Sequence, residues 1–70
     1  MRVKYFEDTD TTLVELSTNP SVETQELNEN VYIDLDNQGK VVSITIEHAV
    51  QSADMREFLY QRIPADSSTP

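Results

Sequence analysis

The sequence predicts an α+β fold: a small, mainly antiparallel, four-stranded sheet followed by one C-terminal amphipathic helix that packs on the sheet or on a partner subunit. Two observations predict it. Between residues 31 and 47, apolar and polar side chains alternate with the period of two that is typical of a strand with one buried face. After Ala53, the apolar residues recur every three or four positions, as on one side of a helix.

The central hairpin is formed by two alternating arms joined at Asp36–Gly39. Its inward-facing side chains are Val31, Ile33 and Leu35 in the first arm and Val42, Ile44 and Ile46 in the second. A simple three-residue loop would place these two sets on opposite faces, because a slip of one residue inverts a strand. The pattern therefore predicts a loop of two or four residues, or a β-bulge, with Ile33 opposite Ile44.

The N-terminal third predicts a second hairpin. Residues 2–6 and 11–16 have extended patterns, and the polar stretch Glu7–Asp10 supplies the turn between them. Pro20 lies in a breaker cluster that ends this hairpin. Residues 22–27 fit either an irregular edge strand or a turn of helix, and the charged residues favour the edge strand.

The C-terminal helix is predicted from a single apolar stripe, whose members are Met55, Phe58, Leu59 and Ile63. Ser52 or Asp54 is a candidate cap for its first turn, and Pro64 ends it. The stripe is the predicted interface, either with the chain's own sheet or across a dimer. Residues 1–64 would form one domain and residues 65–70 a disordered tail.

Composition narrows the classes of partner. Thirteen acidic and five basic residues give a net charge of −8, which disfavours nucleic-acid binding because such a surface repels phosphates. Cysteine is absent, so disulfides cannot stabilise a chain of 70 residues that buries only about 60% of its unfolded surface. A homodimer is the simplest remaining source of stability. We expect no signal peptide, membrane span or cofactor and a cytoplasmic location, with a basic protein as a further possible partner.

Three groups of polar residues are candidates for chemistry. His48, beside Glu47, is a weak catalytic candidate, since acid–base catalysis needs further groups converging on it; a role at the end of the strand is the simpler interpretation. Asp8 and Asp10 are weak metal candidates that turn chemistry explains equally well. The spacing Asp34, Asp36, Gly39 matches the start of a calcium loop, but Thr45 stands where that loop requires glutamate.

Several short motifs succeed one another along residues 1–50. They are Tyr5 with Asp8 and Asp10, the strand Leu13–Leu16, Glu23–Leu27, the strand Val31–Asp36 with its acidic end, Gly39, and the alternating strand Val42–Ala49. This succession resembles a small bacterial family known as domain of unknown function 2283. The resemblance implies a compact sheet domain and no established activity. It also makes an antitoxin-like role, beside a toxin-like basic partner, a hypothesis to consider.

The leading functional hypothesis is accordingly a small, acidic, non-catalytic module that forms a homodimer or binds another protein. One alternative is the antitoxin-like accessory protein that binds a basic partner. The other is a minor metal-dependent or acid–base hydrolase, in which His48 would meet Asp8, Asp10 or Glu15 in a pocket.

Overall fold

The computed structural model describes residues 1–65, which form one antiparallel sheet and one short helix. Its elements are β1 (Arg2–Phe6), β2 (Thr11–Glu15), β3 (Glu23–Asn28), β4 (Val31–Leu35), β5 (Val41–Glu47) and α1 (Ala49–Ser52). The strand order in the sheet is β1-β2-β5-β4-β3, and each neighbouring pair is antiparallel. Three hairpins therefore supply three of the four pairings, and the long-range β2–β5 pairing joins them into one sheet.

The sheet has five strands rather than the predicted four. The additional strand is β3, which pairs along its length with β4 and has a β-bulge between Glu26 and Asn28. All six residues of β3 are exposed, and Leu27 is the one apolar residue among them, so the alternation that marks the central strands is missing here. The prediction of an edge strand in this region is confirmed, but the strand count that followed from treating it as irregular was wrong.

A β-bulge in the β4–β5 hairpin compensates for the odd number of residues in its loop. Asn37–Gly39 form the loop, since the amide of Asp36 donates to Lys40 O at 2.9 Å and that of Gly39 donates to Asp36 O at 3.0 Å. Beyond the loop the register shifts, because Leu35 lies opposite Val41 while Asp34 lies opposite Ser43. Val42 is thus the extra residue, and it brings Ile33 opposite Ile44 as predicted.

The predicted helix over Met55–Ile63 is absent, and the one helix within residues 1–65 is the four-residue α1, which follows β5 directly. The Asp54 carboxylate accepts the backbone N–H of Arg56 at 3.0 Å and also pairs with its guanidinium. This bond is of the kind that a helix N-cap makes, yet no helix follows it. A helix of about ten residues is marginal in water unless tertiary packing supports it, and this segment has almost none.

The core of the molecule is small, because within residues 1–65 nothing forms a second layer over the sheet. Only Val42 and Ala49 are buried hydrophobic residues, with 7% and 0% of their surface exposed. The apolar residues of the central strands are half-buried instead. Residues 53–65 contain no helix or strand, and the predicted disordered tail lies, apart from Ala65, outside the described residues.

Candidate functional site

One face of the sheet is apolar across four strands. The register aligns Val3, Val14, Ile44 and Ile33 in one row and Tyr5, Thr12, Ile46 and Val31 in the row beside it. We call these eight residues the apolar face. Because side chains alternate along a strand, all eight project to the same side, and none of them is charged. Val3 and Tyr5, on the edge strand β1, are each 39% exposed.

A single residue of the C-terminal segment packs on the apolar face. Thr12, which is 3% exposed, donates a hydrogen bond from Oγ1 to Met55 Sδ at 3.4 Å. Tyr5, Val50 and Ala53 line a shallow cleft together with Met55. The contact therefore covers only the corner of the face nearest to α1, and leaves Val14, Ile44 and Ile33 without a cover from residues 56–65, all of which are exposed.

The remaining predicted interface residues are largely exposed to solvent. Phe58, Leu59 and Ile63 are 65%, 68% and 84% exposed, in a segment with no regular structure. The interface assigned to them stays a prediction. The inward-facing side chains of the central hairpin were predicted to lie beneath a helix of the same chain or of a partner, and residues 53–65 contain no helix to cover them.

Asp10 ties the first hairpin to the helix. It adopts a left-handed conformation, with φ of 54°, and its carbonyl oxygen accepts the amide of Ala49 at 2.9 Å. Its Oδ1 accepts the Tyr5 hydroxyl at 2.7 Å and the Val50 amide at 3.2 Å. The hydrogen bond to Asp10 is the main reason that the pKa of Tyr5 is raised. The sequence analysis missed this role.

Asp8 and Asp10, the predicted metal candidates, lie in the turn between β1 and β2. The Asp10 carboxylate is used by two protein donors, and within residues 1–65 Asp8 makes no side-chain hydrogen bond to it. The described part of the chain contains no group of three or more histidine, aspartate or glutamate side chains placed to hold a metal ion. The position of Asp10 is explained by the hydrogen bonds that it accepts.

His48 lies at the junction of β5 and α1, exposed to solvent. It has left-handed dihedral angles, with φ of 52° and ψ of 50°, and its Nδ1 is 2.9 Å from Asn30 Oδ1. The Asn30 carbonyl also accepts the amide of Glu47 at 2.7 Å, so both bonds fix the end of the β4–β5 pairing. The hydrolase hypothesis predicts that His48 meets Asp8, Asp10 or Glu15. Among residues 1–65, no hydrogen bond or ion pair joins His48 to any of them.

Asp34 and Asp36, which have the spacing of a calcium loop, accept hydrogen bonds from protein donors at and near the β4–β5 turn. Asp36 Oδ1 accepts the amides of Gln38 and Lys40, each at 2.9 Å, and Oδ2 accepts Asn19 Nδ2 at 3.2 Å. Asp34 accepts the hydroxyls of Thr24 and Ser43 on the face opposite the apolar one. Protein donors therefore occupy both carboxylates.

The opposite face of the sheet carries charged side chains of both signs. One row across it contains Lys4, Leu13, Thr45, Tyr32 and Glu26. The negative charge of Glu47 is the main reason that the pKa of Tyr32 is raised, with burial and Glu26 adding to it. Lys4 pairs with Glu15 at 3.2 Å. The sheet thus has one mainly apolar side, to which β3 adds Glu23 opposite Leu35, and one charged side.

A protein family whose profile is described as protein of unknown function (DUF2283) matches residues 2–49. The chain belongs to this family. The match confirms the resemblance found in the sequence, and it spans all five strands as well as the bond between Asp10 and Ala49. No curated protein and no solved structure matches the chain.

In this DUF2283 member, the segment that carries Met55 and the exposed apolar residues lies beyond the matched region. The family match therefore describes the sheet and its turns, and leaves the C-terminal segment to be interpreted from its own contacts. Within residues 1–65, no helix has the length and apolar character needed to cross a bilayer.

Proposed function

We propose that this protein is a non-catalytic, cytoplasmic binding module that forms a homodimer through the apolar face. The observation that supports the proposal is the uncharged row Val14, Ile44 and Ile33, which lies at the centre of the sheet and is only half-buried. A sheet with one apolar face is stable when another layer covers that face. Because the described chain provides no such layer, a second copy is the simplest source of one.

The chemistry of the apolar face suits association better than catalysis. Its polar atoms are the Thr12 and Tyr5 hydroxyls, which already donate to Met55 and Asp10 respectively. Recognition by such a surface depends on shape and on the removal of apolar area from water. An uncharged face also allows two acidic chains to meet without placing like charges in direct contact.

The oligomeric state tests this proposal. Sedimentation equilibrium across micromolar to submillimolar concentrations is expected to show a species of twice 8.0 kDa. Ile44→Lys, which places a charge in the interface, should raise the dimer dissociation constant by about a hundredfold, since burying an unpaired charge costs about 3 kcal/mol or more.

Thr45→Lys is the matched control, because it adds the same charge one residue away on the opposite face, where Thr45 is paired with Tyr32 and Leu13. It should leave the dimer intact. Circular dichroism verifies that both variants keep the sheet. A wild-type chain that remains monomeric throughout, or a Thr45→Lys effect as large as that of Ile44→Lys, would refute the proposed interface.

The second candidate is an antitoxin-like accessory protein that binds a basic partner through the opposite face. The carboxylates of Glu47 and Glu26 act on Tyr32 at that face and raise its pKa, and this local negative charge supports the proposal. Co-expression with the product of an adjacent gene for a small basic protein is the test. Retention of that protein by the wild-type chain, and its loss on Glu26→Gln/Glu47→Gln substitution, would support this function; an isolated gene would argue against it.

A further inference from the structure

We infer that residues 55–63 complete the dimer by docking, as an amphipathic helix, over the apolar face of the second copy. This inference rests on the proposed homodimer and specifies what covers the sheet within it. Three observations support it: the area of the sheet, the exposed apolar residues of the segment, and the distribution of charge along the chain.

The sheet alone provides too little area for a stable dimer. None of the eight residues of the apolar face is more than 39% exposed, so they offer only a fraction of their full side-chain surface to a partner. Stable interfaces bury about 800 Å² of accessible surface on each partner. Two sheets packed directly against one another would therefore need several hundred Å² more, roughly, from elsewhere in the chain.

The C-terminal segment provides apolar area of that size. Phe58, Leu59 and Ile63 are between 65% and 84% exposed. An aromatic side chain buries about 150–250 Å² when it is fully covered, and two large aliphatic side chains bury a comparable area together. With Met55, these residues fall at offsets of three, four and eight, so a helix would place all four on one side.

The segment starts at the corner of its own chain's apolar face, so it would lie beside the face of a second copy packed on that side. Met55 is held against Thr12 by the bond to its sulfur, at the corner of the apolar face. A helix from Met55 to Ile63 is about 12 Å long, which nearly matches the roughly 14 Å that spans four neighbouring strands. In the single chain, however, every residue from Arg56 to Ala65 is exposed, so the segment does not cover its own sheet.

The charge distribution favours the segment as the layer between two copies. Residues 1–52 carry three of the five basic and ten of the thirteen acidic side chains, a net charge of −7 with histidine neutral. Residues 53–65 contain two arginines and two acidic residues, so they are formally neutral. A neutral layer separates two acidic sheets and reduces the repulsion that direct packing would bring.

A mixed-label experiment tests the docking on the full-length protein. Isoleucine methyl groups are labelled in one chain and the phenylalanine rings are left unlabelled in the other, and isotope-filtered nuclear Overhauser spectra are recorded on the mixed dimer. Contacts between the Ile44 methyl group of one copy and the Phe58 ring of the other are expected. A dimer in which this contact arises only within one chain, or does not arise, would overturn the inference and leave the proposed dimer standing; a monomer would overturn both.

Two substitutions give an independent measure. Leu59 lies on the stripe and Tyr60 lies off it, yet both are 68% exposed, which makes them a matched pair. Leu59→Ala should raise the dimer dissociation constant about tenfold, and Tyr60→Ala by less than about twofold. Equal effects of the two substitutions, or no effect of Leu59→Ala on a dimer that persists, would contradict helical docking. Neither side chain supports the sheet in the single chain, so the fold should survive both changes.

Discussion

At the scale of single residues, Asp36 shows how one carboxylate stabilises a turn. The backbone N–H of Lys40 is the main reason that the pKa of Asp36 is lowered, and the Gln38 amide and the Asn19 side chain lower it further against the opposing effect of burial. The Gln38 and Lys40 amides close the β4–β5 turn, and Asn19 connects that turn to the chain that follows β2. The ionised form of Asp36 therefore stabilises the folded state.

This lowered pKa predicts an acid-sensitive turn. A group whose pKa is lower in the folded than in the unfolded chain contributes stability above its unfolded pKa, and that contribution is lost as the pH falls through the folded pKa. We therefore expect urea unfolding to show a loss of stability below the ordinary aspartate pKa of 3.8. Asp36→Asn should be less stable than wild type at pH 7 and show a smaller further loss on acidification.

Asp8→Asn is the control for this measurement, because no side-chain hydrogen bond of Asp8 lies within residues 1–65. The stability that this variant loses on acidification should equal the loss of the wild-type chain. If Asp36→Asn loses as much stability on acidification as the wild-type chain does, other carboxylates dominate the acid unfolding.

At the scale of secondary-structure elements, the β4–β5 hairpin depends on one glycine and one bulge. Gly39 has φ of +80°, and a Cβ built at this position would meet no atom within 4 Å. A substitution there consequently strains the backbone without creating a steric clash. The bulge at Val42 then compensates for the odd loop length, and the Val42 carbonyl accepts the amides of Leu16 and Ser17 at 2.8 and 3.2 Å.

Gly39→Ala is expected to lower the free energy of unfolding by about 1 kcal/mol, since only the left-handed conformation is penalised. Gly39→Asn should cost less, because asparagine tolerates this conformation better than alanine does. Urea unfolding of the two variants at neutral pH measures the difference. A much larger loss for alanine would mean that the turn meets a steric obstacle that the structure does not contain.

The elements also show which parts of the fold the sequence could predict. Alternation identified β4 and β5, and the parity of the loop predicted the pairing of Ile33 with Ile44. The stripe from Met55 to Ile63 indicated a helix that the single chain does not form. Apolar periodicity alone does not stabilise so short a helix, which needs tertiary packing. The tie from Asp10 to Ala49 is a contact between distant residues, and no local pattern encodes it.

The sequence predicted the apolar residues at the centre of the candidate site, but not that they would remain uncovered in the single chain. The residues of the apolar face on β4 and β5 were predicted as one inward-facing set, and the structure aligns them with Val3, Tyr5, Thr12 and Val14 of the first hairpin. What the pattern could not give is whether a layer of the same chain covers them. His48 and Asp10 were selected by residue type alone, and in the structure each makes hydrogen bonds that hold strand and helix ends in place.

At the scale of the whole molecule, the protein is a single-layer sheet with a net charge of −8 and one uncharged face. These features oppose one another in a homodimer. The apolar face favours association through burial, which depends weakly on salt, while the total charge of each copy repels the other over long distances. Ionic strength separates the two effects, because it screens the repulsion and leaves the apolar contact in place.

The proposed dimer should therefore tighten as salt is added. Between about 0.01 M and 0.15 M ionic strength the Debye length falls from about 30 Å to about 8 Å, so most of the repulsion between two acidic sheets is removed. We expect the dissociation constant from sedimentation equilibrium to fall several-fold over this range, and Ile44→Lys to remain monomeric at both ends of it. A dissociation constant that rises with salt would mean that ion pairs hold the dimer, and the contact would then have to involve the charged face instead of the apolar one.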